Sequence, residues 1–280
     1  MQLIKWNVEY LKIVSELGLN IEEDIHSAKE LESILLTNRS FRSFKFLNRL
    51  NQLLKHPNLI VGAGPSLETD LKYFEQHFKL ENVVTIAVDG SCSFFRQLQI
   101  IPNILVTDLD GEWSAIRWAI LHGAITLIHA HGDNEYLIKR FFEDNENLLE
   151  KTNVWGTTQN MLTTKLYNFG GFTDGDRAIF LSFHFQSPLI GLMGFDFGET
   201  IGKYSTLNPT ITKDPIKKRK KFKIALSLLD AHYHDHKGVR FNLTSSGEEI
   251  PGFPRLSLQE FKTELIEWNK TQNKEESPKH

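Results

Sequence analysis

Cysteine is almost missing from this chain: its 280 residues include one, Cys92. That excludes an internal disulfide framework and a cysteine-rich zinc site. Cys92 follows Asp89-Gly90 closely enough to line a site there, although burial is the commoner fate of a lone cysteine. Charge of one sign is missing as well. Thirty-two Lys and Arg stand against 35 Asp and Glu, for a net charge of −3. This gives no whole-molecule case for a nucleic-acid or anionic-membrane partner. No run approaches the roughly 20 apolar residues that span a bilayer. The amino-terminal MQLIKWNVEYLKIVSELG is amphipathic and carries acids among its lysines, unlike a signal peptide. A cytoplasmic protein without a membrane partner is therefore expected, and internal repeats are lacking too. With 40% apolar and 24% charged residues, the composition is that of an ordinary globular protein.

What is present is a change of pattern along the chain. Residues 1–55 read as helical. Trp6, Tyr10, Ile13, Val14 and Leu17 recur at helical spacing up to Gly18, Ile21–Asn38 forms a second candidate and Phe41–Leu54 a third. Together they are expected to make a helical cap. From residue 56 short β runs alternate with amphipathic segments. The strands are expected at Leu59–Val61, Val83–Val88, Ile104–Val106, Thr126–Ala130, Val154–Trp155, Pro188–Met193 and Val239–Leu243. Helices are expected between most of them, as in Leu67–Phe78, Ser91–Leu98, Glu112–Leu121 and Asn134–Glu143. Such an order predicts an α/β fold: a Rossmann-like, mostly parallel sheet flanked by helices, over residues 56–270. A polar tail, 271–280, should fray.

Acidic residues beside glycines follow strand after strand. Val83–Val88 runs into Asp89-Gly90, and Ile104–Val106 into Thr107, Asp108, Leu109, Asp110 and Gly111. Thr126–Ala130 runs into His131, Gly132, Asp133 and Asn134, and Pro188–Met193 into Gly194, Phe195, Asp196, Phe197 and Gly198. Ligands of open parallel sheets bind outside the carboxyl ends of the strands. Carboxylates there suit Mg²⁺ and a polyphosphate. Asp89, Asp108, Asp110 and Asp133 are the metal candidates, with Asp108, Asp110 and Asp133 also the catalytic ones. Asp108 and Asp110 would share one face if the strand continued; a turn with a helix cap is the competing reading. His129, His131 and Asp133 could instead suggest zinc or iron, but no second concentrated ligand set accompanies them, so His131 reads better as a phosphate or substrate contact.

Val61–Leu67 (VGAGPSL) is a glycine-rich strand-to-helix turn. Gly62, Gly64, Pro65 and Ser66 are phosphate candidates through free N–H groups at a helix start, with Ser66 as the cap. The turn lacks the third glycine of a dinucleotide fingerprint and the lysine of a P-loop. In Gly170–Arg177 (GGFTDGDR), Asp174, Asp176 and Arg177 are candidates for ATP phosphates, and Asp or Thr there could equally cap the helix that follows. The basic run Lys213–Lys223, with Lys217 and Lys218 at its centre, is either a solvated helix face or a mobile arm that neutralises phosphate. Gly90, Asn134, Thr173 and Asp196 share these loops and are read as substrate contacts. Trp155 and Phe172 are ring-stacking candidates, with core packing as their competing role.

The succession GAGPSL, DG, PNILVTDLDG, HGDN, GFTDGDRA and GFDFG resembles the archaeal 6-hydroxymethyl-7,8-dihydropterin pyrophosphokinase family over nearly the whole chain. The likeness extends to the Trp6-bearing start, Ile201–Ser205 (IGKYS), the lysine-rich helix and Phe241–Thr244 (FNLT). The core is also similar to the catalytic domain of thiamine pyrophosphokinases, departing at Asn103, where Asp after Pro is common. The resemblance implies Mg²⁺-dependent transfer of diphosphate from ATP to a reduced pterin, with release of AMP. It carries the acidic motifs to Asp89, Asp108, Asp110, Asp133, Asp174 and Asp176. A thiamine pyrophosphokinase-like enzyme, a glycosyltransferase-related domain using a nucleotide sugar and a non-catalytic nucleotide-binding module are the alternatives. A homo-oligomer is compatible with the sequence but not required by it.

Overall fold

A computed structural model describes residues 3–37, 43–150, 153–160, 163, 165–208, 211 and 214–275. Asn38, Phe41 and Lys213, which end or begin expected segments, lie outside these. The elements in chain order are α1 (Leu3–Leu17), α2 (Ile21–Leu36), α3 (Ser43–Leu54), β1 (Asn58–Val61), α4 (Leu67–His77), β2 (Val84–Val88), α5 (Ser91–Gln97), β3 (Ile104–Thr107), α6 (Trp113–Leu121), β4 (Ile125–Ala130), α7 (Glu135–Glu143), β5 (Val154–Thr158), β6 (Leu166–Tyr167), α8 (Asp174–His184), β7 (Leu189–Met193), α9 (Pro215–His232), β8 (Val239–Asn242) and α10 (Leu258–Glu275). Every expected strand is present. β6 is additional, and α10 continues through Thr271 to Glu275.

Among the described residues all eight strands pair in parallel, in the order β6-β5-β4-β3-β2-β1-β7-β8. The apolar strands are covered on both faces, as a parallel sheet requires. Leu59 and Val61 of β1 pack in one layer with α2, α4, α5, α6, α7 and α10, through Leu31, Phe74, Phe95, Ile116, Phe141 and Phe261. Ile60 points the other way, toward α1, α3, α8 and α9, where Trp6, Leu50, Phe180 and Leu229 meet. The amino-terminal helices thus divide between the layers, α2 on one face and α1 with α3 on the other. Cys92 is buried in the first layer with its thiol on Ala115 O at 3.4 Å, and burial, with Asp89 nearby, pushes that thiol well above its ordinary range. It does not line the site.

The order places the site. From β1 the chain builds outward through β2 to β6, then returns to set β7 on the other flank of β1. The switch in strand order falls between β1 and β7, and a crevice opens there at the carboxyl ends of the strands, bordered by the loops that leave β1, β2, β3, β4 and β7. Among the described residues no helix is long and apolar enough to cross a membrane.

Candidate functional site

A cavity of about 340 Å³ occupies this crevice. One wall is built from the loops after β1 and β7, pressed together where a side chain would not fit. A Cβ on Gly64 would stand 2.0 Å from Asp196 Oδ2, and one on Gly62 would stand 2.6 Å from Gly194 O. The glycine-rich turn differs here from the sequence expectation. Gly62 N–H donates to Met193 O (2.8 Å), Gly64 N–H to Gly194 O (2.9 Å) and Ser66 N–H to Asp196 Oδ2 (3.2 Å). These N–H groups hold the two loops together instead of standing free for phosphate. Ser66 occupies the cap position of α4 without a side-chain cap bond; its hydroxyl donates to Asp196 Oδ2 at 3.0 Å. Asp196 also accepts from the Ser246 hydroxyl, so its carboxylate clamps loops where a substrate contact was expected. Gly62, Gly64 and Pro65 still line the cavity.

The floor is a group of carboxylates from three segments. Asp89, Asp108 and Asp174 each offer an oxygen, and these oxygens lie within 4.8 Å of one another. Asp89 sits in a left-handed conformation (φ 41°) after β2. Its Oδ1 accepts from the Thr107 hydroxyl (2.7 Å) and Gly111 N–H (3.1 Å). β3 ends at Thr107 and does not continue to carry Asp108 and Asp110 on one strand face. Leu109 turns at φ 68°, and Asp108 Oδ1 accepts Asp110 N–H at 3.1 Å, so the turn reading prevails and still aims both acids at the cavity. Asp174 opens α8, paired with Arg177 at 3.0 Å. Its carboxyl is pushed up to about 7 by burial and by the charges of Asp108 and Asp110, against the pull of Arg177. Hard oxygen donors converging with such mutual repulsion fit a hard divalent cation such as Mg²⁺.

A further wall comes from the turn after β4 and the first turns of α9. His131 Nδ1 accepts Asp133 N–H (3.3 Å), which leaves Nε2 to donate to Asp108 Oδ2 (3.3 Å). Asp133 stands away from the carboxylate floor and pairs with Lys217 at 3.1 Å. Burial alone would raise its carboxyl, but Lys217, His131 and Lys221 leave it below the ordinary range. Asp214 caps α9 by accepting Ile216 N–H, which fixes the helix start at the mouth. Lys217, Lys218 and Lys221 all line the cavity, with Lys221 Nζ 5.9 Å from the Phe172 ring centre. Arg219 points elsewhere, to Glu199. Gly90, Asn134, Phe172, Thr173 and Asp196 complete the lining among the residues singled out from sequence. A Cβ on Gly90 would meet Tyr204 O at 2.3 Å, so this glycine serves the packing of 202–206 as well.

Three expected contacts turn out differently. Asn134 has its amide engaged with Asp108 O, His129 O, His131 N–H and the Ser27 hydroxyl, making it the staple of its turn. Asp176 closes a capping box, accepting from Phe172 N–H, Thr173 N–H and the Thr173 hydroxyl, and lies behind the cavity wall. Trp155 stacks on Phe46 with ring centres 3.8 Å apart, in the core. His129 is fully buried in β4, bonded to Thr157 Oγ1, and desolvation holds it neutral; it does not join His131 and Asp133 in a ligand set. Asn103 accepts Thr85 N–H at the amino-terminal end of β3, remote from the acids. Sequence reasoning missed Asp24, Gln159, Lys221, Phe195 and Phe197, which also line the cavity. Lys221 and the two phenylalanines lie in segments already flagged; nothing local marks Asp24 or Gln159.

The family model described as 6-hydroxymethylpterin diphosphokinase MptE-like matches residues 29–202. Three archaeal proteins named 6-hydroxymethyl-7,8-dihydropterin pyrophosphokinase are similar to this chain. The one from Methanocaldococcus jannaschii is 33% identical over 217 residues, covering 76% of this chain and 87% of that protein. Those from Methanothermobacter thermautotrophicus and Pyrococcus furiosus are 35% identical over 236 residues and 37% over 233, each covering 82% of this chain and 94% of the relative. Among solved structures, the MAf glycosyltransferase from Magnetospirillum magneticum AMB-1 aligns over 76% of this chain, with 16% identity and a TM-score of 0.43. This chain spans 36% of that protein's length.

Proposed function

The chain belongs to the 6-hydroxymethylpterin diphosphokinase MptE-like family, and from that premise we propose that it transfers diphosphate from ATP to 6-hydroxymethyl-7,8-dihydropterin, releasing AMP. The observation that carries this reading is the convergence of Asp89, Asp108 and Asp174 on one point of a cavity that Lys217, Lys218 and Lys221 also line. Acids alone would repel a triphosphate, and lysines alone would hold one without orienting it. The two together suit a metal–nucleotide complex.

In the transfer, the hydroxymethyl oxygen bonds to the β-phosphorus while the bond from that phosphorus to the α,β-bridging oxygen breaks. The hydroxyl proton is released and AMP departs with the bridging oxygen. Such a reaction needs alignment and charge stabilisation more than a covalent protein nucleophile. Asp89, Asp108 and Asp174 would hold Mg²⁺. When bound, the ion neutralises and polarises phosphate oxygens. Arg177 keeps Asp174 turned to the floor, and His131 does the same for Asp108. The three lysines meet phosphate charge at the mouth. Phe172, Phe195 and Phe197 give the cavity apolar walls that exclude water from the reacting centre.

The test is product analysis after quenching ATP and Mg²⁺ with 6-hydroxymethyl-7,8-dihydropterin, with thiamine, or with no acceptor. One AMP per pterin diphosphate supports the reading. Pterin-dependent ADP, or AMP with thiamine alone, contradicts it.

A further inference from the structure

Asp24 lies on α2, ahead of the segment matched by the family model. It is a buried carboxylate that accepts from three donors belonging to three other parts of the chain. Oδ1 takes the Gly132 N–H at 2.6 Å. Oδ2 takes the Tyr10 hydroxyl at 2.5 Å and Gln159 Nε2 at 2.8 Å. α2 approaches so closely that a Cβ on Gly132 would meet Glu23 Cβ at 2.8 Å.

Two of these bonds lead to the carboxylate floor by separate routes. Gly132 follows His131, whose Nε2 donates to Asp108. Gln159, with its Nε2 held by Asp24, presents Oε1 to Arg177 (3.3 Å), and Arg177 donates to Asp174 at 3.0 Å. The orientation of the Gln159 amide is fixed by this sequence of partners: a carboxylate on one side demands the N–H₂ end, and a guanidinium on the other demands the oxygen. Trp6 Nε1 adds a bond to Gln159 O from α1. Both routes converge on groups that lie within 4.8 Å of each other.

We infer that Asp24 is a positioning residue for divalent-metal binding, setting Asp108 through the Gly132 turn and Asp174 through Gln159 and Arg177. The inference rests on reading the floor as a metal site. It assigns the amino-terminal helices a part in the chemistry besides packing. Loss of a partner bonded directly to a metal ligand typically costs roughly 10- to 100-fold in metal affinity. Asp24 acts through such partners, His131 and Arg177, so its effect should lie at or below the lower end of that range.

The test is Mn²⁺ titration of the full chain, followed by electron paramagnetic resonance, without nucleotide or pterin. Asp24→Asn presents two N–H donors where Tyr10, Gly132 and Gln159 all donate. It should weaken Mn²⁺ binding several-fold, up to about tenfold, and Tyr10→Phe by a smaller factor. The double variant Asp24→Asn/Gln159→Glu restores a donor-to-acceptor sequence ending on Arg177 and should recover much of the loss. A carboxylate that serves packing alone would lower the melting temperature and leave the Mn²⁺ constant unmoved. If Asp24→Asn does not fold, Gln159→Leu decides, since it cuts one route and leaves the carboxylate in place. A dissociation constant within about twofold of wild type in the folded variant overturns the inference. Failure of the wild-type protein to bind Mn²⁺ overturns the metal reading and this inference with it. Absence of pterin transfer alongside normal Mn²⁺ binding counts against the proposed reaction alone.

Discussion

At the amino-terminal end of the sheet, Asn153 donates to Ile120 O (3.1 Å) and Ala124 O (2.6 Å), and Asn58 donates to Ser187, whose hydroxyl donates to Leu54 O (2.7 Å). At the carboxyl-terminal end of the same sheet, Asp89, Asp108 and Asp174 crowd together, and Asp89 and Leu109 hold left-handed backbone (φ 41° and 68°). Both ends contain buried or half-buried polar side chains. One set is neutral amides and hydroxyls that satisfy the backbone around them. The other is carboxylates, among which burial together with the charges of Asp108 and Asp110 pushes Asp174 up to about 7. Asparagine ties a strand start to its neighbours, whereas converging aspartates hold negative charge ready for a cation. The contrast is between side chains that stitch strand starts together and carboxylates that gather negative charge at one point of a cavity.

The largest expected effect comes from making the charged end resemble the neutral one. Asp108→Asn should lower kcat by about 10²-fold or more at saturating Mg²⁺ while the circular dichroism spectrum stays native. Near-normal turnover would erase the distinction between the ends.

The converse change carries charge to the neutral end. Asn153→Asp sets a carboxylate against two carbonyl oxygens and should cost about 2–3 kcal/mol at pH 8, read from the denaturant midpoint, with kcat of the folded fraction unchanged. A loss of activity without loss of stability would show that the ends are not separable.

A smaller effect is expected at the mouth. Replacing Lys217, Lys218 and Lys221 by glutamine should raise the KM for ATP several-fold and leave the melting temperature nearly unchanged. The difference from wild type should shrink in higher salt. An unaltered KM would return this part of α9 to a solvated helix face.

The smallest is a pH effect at the neutral end. His236 donates to Ser187 O (2.7 Å), and burial lowers it from its ordinary 6.5 to about 4. Between those values the unfolded chain binds more protons than the native one. Its contribution is therefore complete above pH 6.5 and is lost as pH falls through about 4. At pH 5.5 the loss should be about 1 kcal/mol. Thermal melts at pH 7.5 and 5.5, with His236→Gln for reference, measure it; an equal pH response in the variant would rule His236 out as the source.

Much of this was legible in the sequence, for physical reasons. Strands buried on both faces read as continuous apolar runs, and their Asp/Gly ends mark the functional edge, so seven of the eight strands and the acids after β2 and β3 stand out. β6, two residues long, carries no such run. Asp174 and Asp176 look equivalent in sequence; only the capping geometry turns one to the floor and the other to the backbone. The glycine turn was visible, but not that its N–H groups pair with the β7 loop, because that pairing depends on β7 returning beside β1. Asp24 was invisible for a similar reason, since its partner Gly132 lies 108 residues away.

The central claim is that Asp89, Asp108 and Asp174 hold the metal that accompanies ATP. A crystal grown with Mn²⁺ and a non-hydrolysable ATP analogue, examined at the manganese edge, addresses it directly. The account predicts an anomalous peak in contact with these three carboxylates and with phosphate oxygens. A peak beside Asp133, or none at the three aspartates with nucleotide bound, would contradict it.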